Sequence, residues 1–293
     1  MKLLSEMEDF KLVKSPITVE TEDIAIEQLR ETPENVKKGL EELRALLKND
    51  NTIYFKDDDD TLKAFLRPTK WYAKSAHGLM KRAAEFKEKY CDLLDALLPN
   101  DEKRAFTEER VINVLKGRDQ KGRRVLIVNC GEMWDPLRIS SDQIFRLFYL
   151  IHQAALLEEE TQVRGVVIIM DFEGMGMKHV KALSPSFSFK ILGFIQDAMP
   201  LRLKEIHMVK QPLVFKMVWT IFKPVIREKL RNRIFFHGSK MCSLHEYIAP
   251  THLPKEYGGE LPNIDYNGQQ WWPNIEENYG HFETWSKFGL VKK

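Results

Sequence analysis

Two short β-branched runs flanking a long apolar stretch limit what this chain can fold into more than any other feature. Arg124-Val125-Leu126-Ile127-Val128-Asn129 follows the turn Gln120-Lys121-Gly122, and Gly165-Val166-Val167-Ile168-Ile169-Met170-Asp171 is the second run. Continuous apolar runs of this length suit strands covered on both faces. Between them, Ile144 to Glu160 predicts one helix, heavily apolar at Ile144, Phe145, Leu147, Phe148, Leu150 and Ile151. Ser188 to Ala198 predicts another, and Ile206 to Val209 and Ile234 to His237 predict shorter strands. Strand and helix in alternation imply an α/β layer with mostly parallel pairing.

The first hundred or so residues carry a different period. Ile24 to Leu29, then Val36, Leu40, Leu43 and Leu47, recur at helical spacing, and Thr32-Pro33-Glu34 marks a helix start between them. The acidic run Asp57 to Asp60 suits a helix N-terminus, where carboxylates satisfy free amides; a calcium loop would need alternating ligands and a glycine. Tyr72 to Tyr90 predicts a further helix, and Pro99-Asn100-Asp101 breaks the pattern. The expected division is a helical N-terminal domain over 1–105, an α/β domain over 106–262, and an extension over 263–293. That extension carries Trp271, Trp272, Tyr279, Phe282, Trp285 and Phe288, spaced as an aromatic helix docked on the body.

With 43% apolar residues among 293, the chain can build a substantial core. No stretch approaches the ~20 apolar residues of a membrane span, and the opening MKLLSEMEDF lacks the apolar centre of a signal peptide. Cys91, Cys130 and Cys242 form no CxxC pair, which argues against a zinc site or disulfide framework and fits a reducing cytosol. No phosphate loop, nucleophile elbow or HExxH motif appears, and no metal or cofactor is expected. Asp171 and Glu173 sit in a loop after a strand, where a structural turn is the simpler role. The only histidines near metal-ligand spacing are the distant His237 and His245. His152 lies on the apolar helix, either as a satisfied core histidine or as a single polar anchor in an apolar pocket.

Charge is concentrated in one window. Residues 200–240 hold ten basic and two acidic side chains, a net +8 in a chain whose total is +2. Such a concentration suits an anionic partner. Inside it, Leu213, Val214, Phe215, Met217, Val218, Trp219, Ile221 and Phe222 wrap most of a helix, leaving only Lys216, Thr220, Lys223 and Arg227 on a polar stripe. Two readings stand: a buried helix with apolar neighbours on two sides, or a lid with one face on a ligand and the other able to meet a membrane. Pro212 suits a first turn and Pro224 a bend.

The ordered blocks FLRPTKW (65 to 71), WDP (134 to 136), VVIIMDFEGM (166 to 175), MPLRLKEIHMV (199 to 209), QPLVFKMVWTIFKP (211 to 224) and LPKEYGGELP (253 to 262) resemble the CRAL-TRIO family. The likeness is to the branch whose members carry tocopherol and retinaldehyde. It implies a helical N-terminal domain, then an α/β lipid-binding domain with an internal hydrophobic cavity and a mobile gate helix, here Gln211 to about Ile226. It also implies a phosphoinositide headgroup site at Arg202, Lys204, Lys229 and Arg233, two of them with Lys and Arg exchanged. Phe145, Ile206, Phe215 and Val218 match apolar pocket positions, and Trp219 replaces another aromatic; Tyr149 and Phe222 are counted with them. Met175 stands for a tryptophan, Met199 for a phenylalanine, and Phe148 and His152 for small hydroxyl residues. Tocopherol itself therefore does not follow, and a retinoid, carotenoid or other isoprenoid-like lipid stays open.

The resemblance implies an intracellular carrier, reversibly bound at membranes, with no enzymatic activity and no nucleic-acid partner. Three rivals remain at this level. A lipid sensor or scaffold would present its lipid without moving it. A lipid hydrolase lacks its nucleophile motif. A nucleic-acid binder would not set a greasy helix among its basic residues.

Overall fold

Side-chain caps decide where the first helices begin. In a computed structural model, which describes residues 11–291, Thr18 accepts from the Thr21 amide to open α1 (Val19–Leu29). Thr32 accepts from the Asn35 amide, with Pro33 in the first turn, to open α2 (Pro33–Lys48). After the two-residue strand β1 (Ile53–Tyr54), Asp58 accepts from Thr61 to open α3 (Asp59–Leu66). The acidic run is thus a helix start. The helix α4 (Ala73–Lys89) completes this part. The opening ten residues, read above for a signal peptide, lie outside the described residues.

The sheet follows in chain order: β2 (Ile112–Arg118), β3 (Arg124–Asn129), β4 (Val166–Asp171), β5 (Leu203–Val209) and β6 (Ile234–Gly238), each paired with the next. The pairs from β3 to β6 are parallel, as the alternation predicts. The edge pair β2–β3 is antiparallel and makes the sheet mixed. β4 lies in the centre, and its alternation divides the molecule. Ile168 belongs to the large core under the helices, while Val167 and Ile169 meet Leu244, Ile248 and Tyr257 on the opposite face.

The helix predicted over Ile144 to Glu160 is two helices, α5 (Ser141–Leu156) and α6 (Glu159–Arg164). A capping box of Ser140 and Gln143 starts α5. The break falls at Glu158, whose carboxylate is buried and takes Arg124 Nε at 2.9 Å, Arg118 Nη2 at 3.0 Å and the Thr161 hydroxyl at 2.7 Å. The chain must turn there to bring that carboxylate to the sheet. Beyond β4 come α7 (Met177–Ala182) and α8 (Pro185–Gly193), which widens into a π-type turn over Phe194–Ala198. Then β5 leads to α9 (Phe215–Phe222), where Pro224 lies in a tight turn over Lys223–Val225, and to α10 (Glu228–Arg231).

The N-terminal helices are fixed by buried charge as well as apolar contact. Arg67, 2% exposed, reaches Glu31 and Glu159 at 2.8 Å and Gln162 at 2.8 Å. The C-terminal aromatics form two short helices, Trp272–Glu277 and Tyr279–Ser286, rather than one. Trp285 stacks on Phe65 at 5.8 Å, and β7 (Gly289–Leu290) pairs antiparallel with β1. Gly268 lets this segment approach: a Cβ there would lie 1.9 Å from the Phe106 carbonyl oxygen.

Candidate functional site

An apolar cavity of about 110 Å³ lies between the sheet and α9. Its floor is Ile168 and Met170 of β4 with Ile206 and Met208 of β5. Its roof is Phe215, Val218, Trp219 and Phe222, all on the inner side of α9. A second apolar cavity of about 50 Å³ lies further back, walled by Phe148, His152, Met199 and Leu201 and closed by Arg124 and Glu158. Phe148 thus belongs to both.

The predicted pocket residues divide accordingly. Phe148, Ile206, Phe215, Val218, Trp219 and Phe222 come together on the front cavity; Phe148, His152 and Met199 meet on the rear one. Tyr149 lines a smaller space beside Phe65 and Trp285. Phe145 packs on Phe86 at 6.1 Å and Phe194 at 6.1 Å. Neither Phe145 nor Met175 lines the front or the rear cavity, though both are buried. Sequence reasoning did not pick out Met170 and Met208, or Phe187, Ile191 and Ile195 of the α8 segment, which complete the front wall. The available signal was alternation along the strands, which puts Met170 and Met208 on the face of Ile168 and Ile206.

The helix α9 is not enclosed on two sides. Phe215 and Val218 are buried, while Leu213 just before it is 83% exposed and Met217 is 49% exposed. Phe236 of β6, edge-on to Trp219 at 4.9 Å, is exposed as well. The reading of a fully buried helix is therefore corrected: one side covers the cavity and the other faces solvent. Just before it, Lys210 holds a left-handed backbone, φ 53°. It neutralises the two loop carboxylates, reaching Glu173 at 2.7 Å and Asp171 at 3.1 Å. That arrangement gives the Asp171–Glu173 loop a structural role.

Three of the four predicted cations converge. Arg202 and Lys204 both donate to the Gln28 side-chain carbonyl, at 3.0 and 3.2 Å, and Arg233 donates to the Leu203 carbonyl. Burial, then repulsion from Arg233, pulls Arg202 down to about 10; burial, then Arg202 and Arg233, pulls Lys204 down to about 8. Gly165, φ 85°, permits the close packing beneath them, since a Cβ there would lie 2.4 Å from the Arg202 carbonyl oxygen. Lys229 is exposed on α10, one turn before Arg233. Among the described residues none of these four forms an ion pair.

His152 is 3% exposed and donates through Nδ1 to the Tyr149 carbonyl. Burial drives its pKa down to about 3, partly opposed by that carbonyl, so it is neutral near pH 7. The unfolded chain protonates first as pH falls, so stability falls with it. The slope is about 1.4 kcal/mol per pH unit, or about 2 kcal/mol between pH 6.5 and 5 from His152 alone. Urea unfolding of His152→Leu should show a shallower loss over that range; an unchanged slope would mean that His152 takes up its proton equally in both states. His237 does not meet His245: its Nε2 lies 3.0 Å from Nδ1 of His207 on the neighbouring strand. Among the described residues no group of His, Cys, Asp or Glu is arranged to hold a metal, and no helix is long and apolar enough to cross a membrane.

Comparison with known proteins agrees with this architecture. The model of the CRAL/TRIO domain matches residues 108–259. Human alpha-tocopherol transfer protein-like is 31% identical over 249 residues, covering 84% of this chain and 72% of that protein. Rat clavesin-1 is 30% identical over 265 residues, covering 89% and 73% respectively, and rat clavesin-2 is 30% identical over 256 residues, covering 86% and 78%. With the domain match spanning the whole sheet and relatives aligned along most of their length, the chain belongs to the CRAL/TRIO family of non-catalytic lipid carriers.

Proposed function

We propose that this protein binds one hydrophobic small molecule of tocopherol, retinoid, carotenoid or other isoprenoid type. It exchanges that lipid at phosphoinositide-containing membranes by opening α9. The observation that carries the reading is the two-sidedness of α9, whose inner residues roof an apolar cavity while Leu213 and Met217 face outward beside Lys216 and Lys223. Arg202, Lys204 and Arg233 supply a cation cluster that forms no ion pair among the described residues, which suits a phosphorylated headgroup.

Magnitudes decide how the two features cooperate. Baring Phe215, Val218, Trp219 and Phe222 to water would cost roughly 4–9 kcal/mol, at about 1.5–3 for each of the buried Phe215 and Val218 and about half that for the partly exposed Trp219 and Phe222. Four cations at an anionic leaflet return only about 4 kcal/mol, at about 1 each. Charge can dock and orient the protein but cannot open the helix in water. Opening becomes favourable only when the bared face enters the bilayer, so the membrane is both trigger and exchange partner. In a vesicle-to-vesicle transfer assay with a fluorescent isoprenoid lipid, Leu213→Asp/Met217→Asp should retain bound lipid yet transfer it at least tenfold more slowly. Undiminished transfer would remove this face from the mechanism.

A further inference from the structure

We infer that Gln28 of α1 is a placeholder in the cation cluster: its side-chain carbonyl oxygen holds the position between Arg202 and Lys204 that one oxygen of a phosphorylated headgroup takes on binding. Gln28 must swing out to admit that headgroup. This rests on the phosphoinositide reading above and adds a residue of the N-terminal helices that sets how tightly the headgroup is held.

One oxygen accepts from both cations. Arg202 Nη2 lies 3.0 Å from Gln28 Oε1, and Lys204 Nζ lies 3.2 Å from the same atom. Two donors fix the amide with its oxygen toward the cluster. A phosphate oxygen makes contacts of the same kind with Arg and Lys, and its negative charge strengthens them. Gln28 is thus a neutral occupant of a place better suited to an anion. Glu31, whose charge Arg202 feels, is committed to Arg67 at 2.8 Å.

The two sides of the contact differ in freedom. The backbone of α1 is pinned, with Ala25 and Leu29 buried and the Thr21 hydroxyl held by Arg164 Nε of α6 at 2.7 Å. The Gln28 side chain is exposed and can leave by a change of rotamer. The arginines stay in place. Arg202 donates through Nη1 to the Val163 carbonyl and Arg233 donates to the Leu203 carbonyl, contacts that do not involve Gln28. Lys204 alone exchanges its partner, since Gln28 is its one hydrogen-bond acceptor among the described residues. Departure of Gln28 therefore bares a site that is already assembled. Headgroup affinity is reduced in proportion to the fraction of molecules in which the placeholder is out.

The test uses the full chain and two probes: soluble inositol trisphosphate in titration calorimetry, and phosphatidylcholine vesicles containing phosphatidylinositol bisphosphate in co-sedimentation. Gln28→Ala leaves the net charge unchanged and should bind both probes about three- to tenfold more tightly, as a placeholder seated about two-thirds to nine-tenths of the time requires. Gln28→Glu sets a carboxylate between the same cations and should weaken both by at least about tenfold. Ile26→Glu adds the same charge to an exposed position on another side of α1 and should weaken them by less than about twofold. Equal or weaker binding by Gln28→Ala would overturn the placeholder, as would equal losses in Gln28→Glu and Ile26→Glu. A gain seen with the soluble probe alone would support the placeholder and assign the site to a free inositol phosphate, against the membrane reading. Binding of neither probe by the native protein would overturn the phosphoinositide reading and the placeholder with it.

Discussion

Glu158→Ala is expected to destabilise the protein by roughly 3–5 kcal/mol, the usual cost of removing one partner from a buried ion pair. Glu158 is 1% exposed, and burial by itself would favour its neutral form. Arg124 and Arg118 outweigh burial and hold its carboxyl below the ordinary range. Without it, Arg124 keeps its contact with the Lys116 carbonyl but loses both carboxylate oxygens at the end of the rear cavity. Chemical denaturation followed by circular dichroism measures the loss directly. A second substitution separates the mechanism from ordinary side-chain loss: Arg124→Met should recover part of the stability in the Glu158→Ala background although it destabilises the native protein. Strictly additive losses would show that the pair does not act as a unit.

Removing the cation cluster is expected to have the largest effect on membrane binding. Arg202→Ala/Lys204→Ala/Lys229→Ala/Arg233→Ala should weaken binding to phosphoinositide vesicles by about a thousandfold at low salt, from about 1 kcal/mol per cation. It should also flatten the dependence on salt. Lys204 adds a pH signature. Its pKa, held at about 8 by burial, Arg202 and Arg233, rises again when an anion arrives, so binding takes up a proton. Vesicle affinity should therefore fall between pH 7 and 9 in the native protein, and that slope should shrink in Lys204→Gln. Vesicle co-sedimentation across pH checks both. Full affinity in the fourfold variant would move the docking site to other cations, with Lys216 and Lys223 the first to test.

The parts of this fold that could be read from the sequence are those where neighbouring residues carry the cause. Runs of β-branched residues marked β3 and β4, and Thr32 with Pro33 marked the start of α2 because the cap and the first turn are adjacent in the chain. What escaped depends on distant partners. The break after α5 is set by Arg118 and Arg124, far upstream of Glu158, and His207 meets His237 only because β5 and β6 run parallel in a particular register. β2 was missed because Asn113, Lys116, Gly117 and Arg118 interrupt its apolar pattern. The cavity walls were legible only in part. A continuous apolar run such as Val166 to Met170 does not say which side faces the helices, and Phe145 and Phe148, one turn apart, lie in different surroundings.

The pairing of β7 with β1 bears on how this architecture can be inherited and recombined. The last aromatic residues are wedged against the first helices: Phe288 lies 5.1 Å from Phe55, and Trp285 stacks on Phe65. On the sheet side, Trp271 sits 4.1 Å from Phe106, and His281 reaches the Gln153 carbonyl at 3.0 Å. A gene segment lacking the C-terminal aromatics would bare Phe106 beside the sheet and, where the first helices travel with it, Phe55 and Phe65 as well, a liability for solubility. Exchange between relatives is therefore expected to preserve function when the sheet travels with both flanking segments, making the three together the natural unit of recombination.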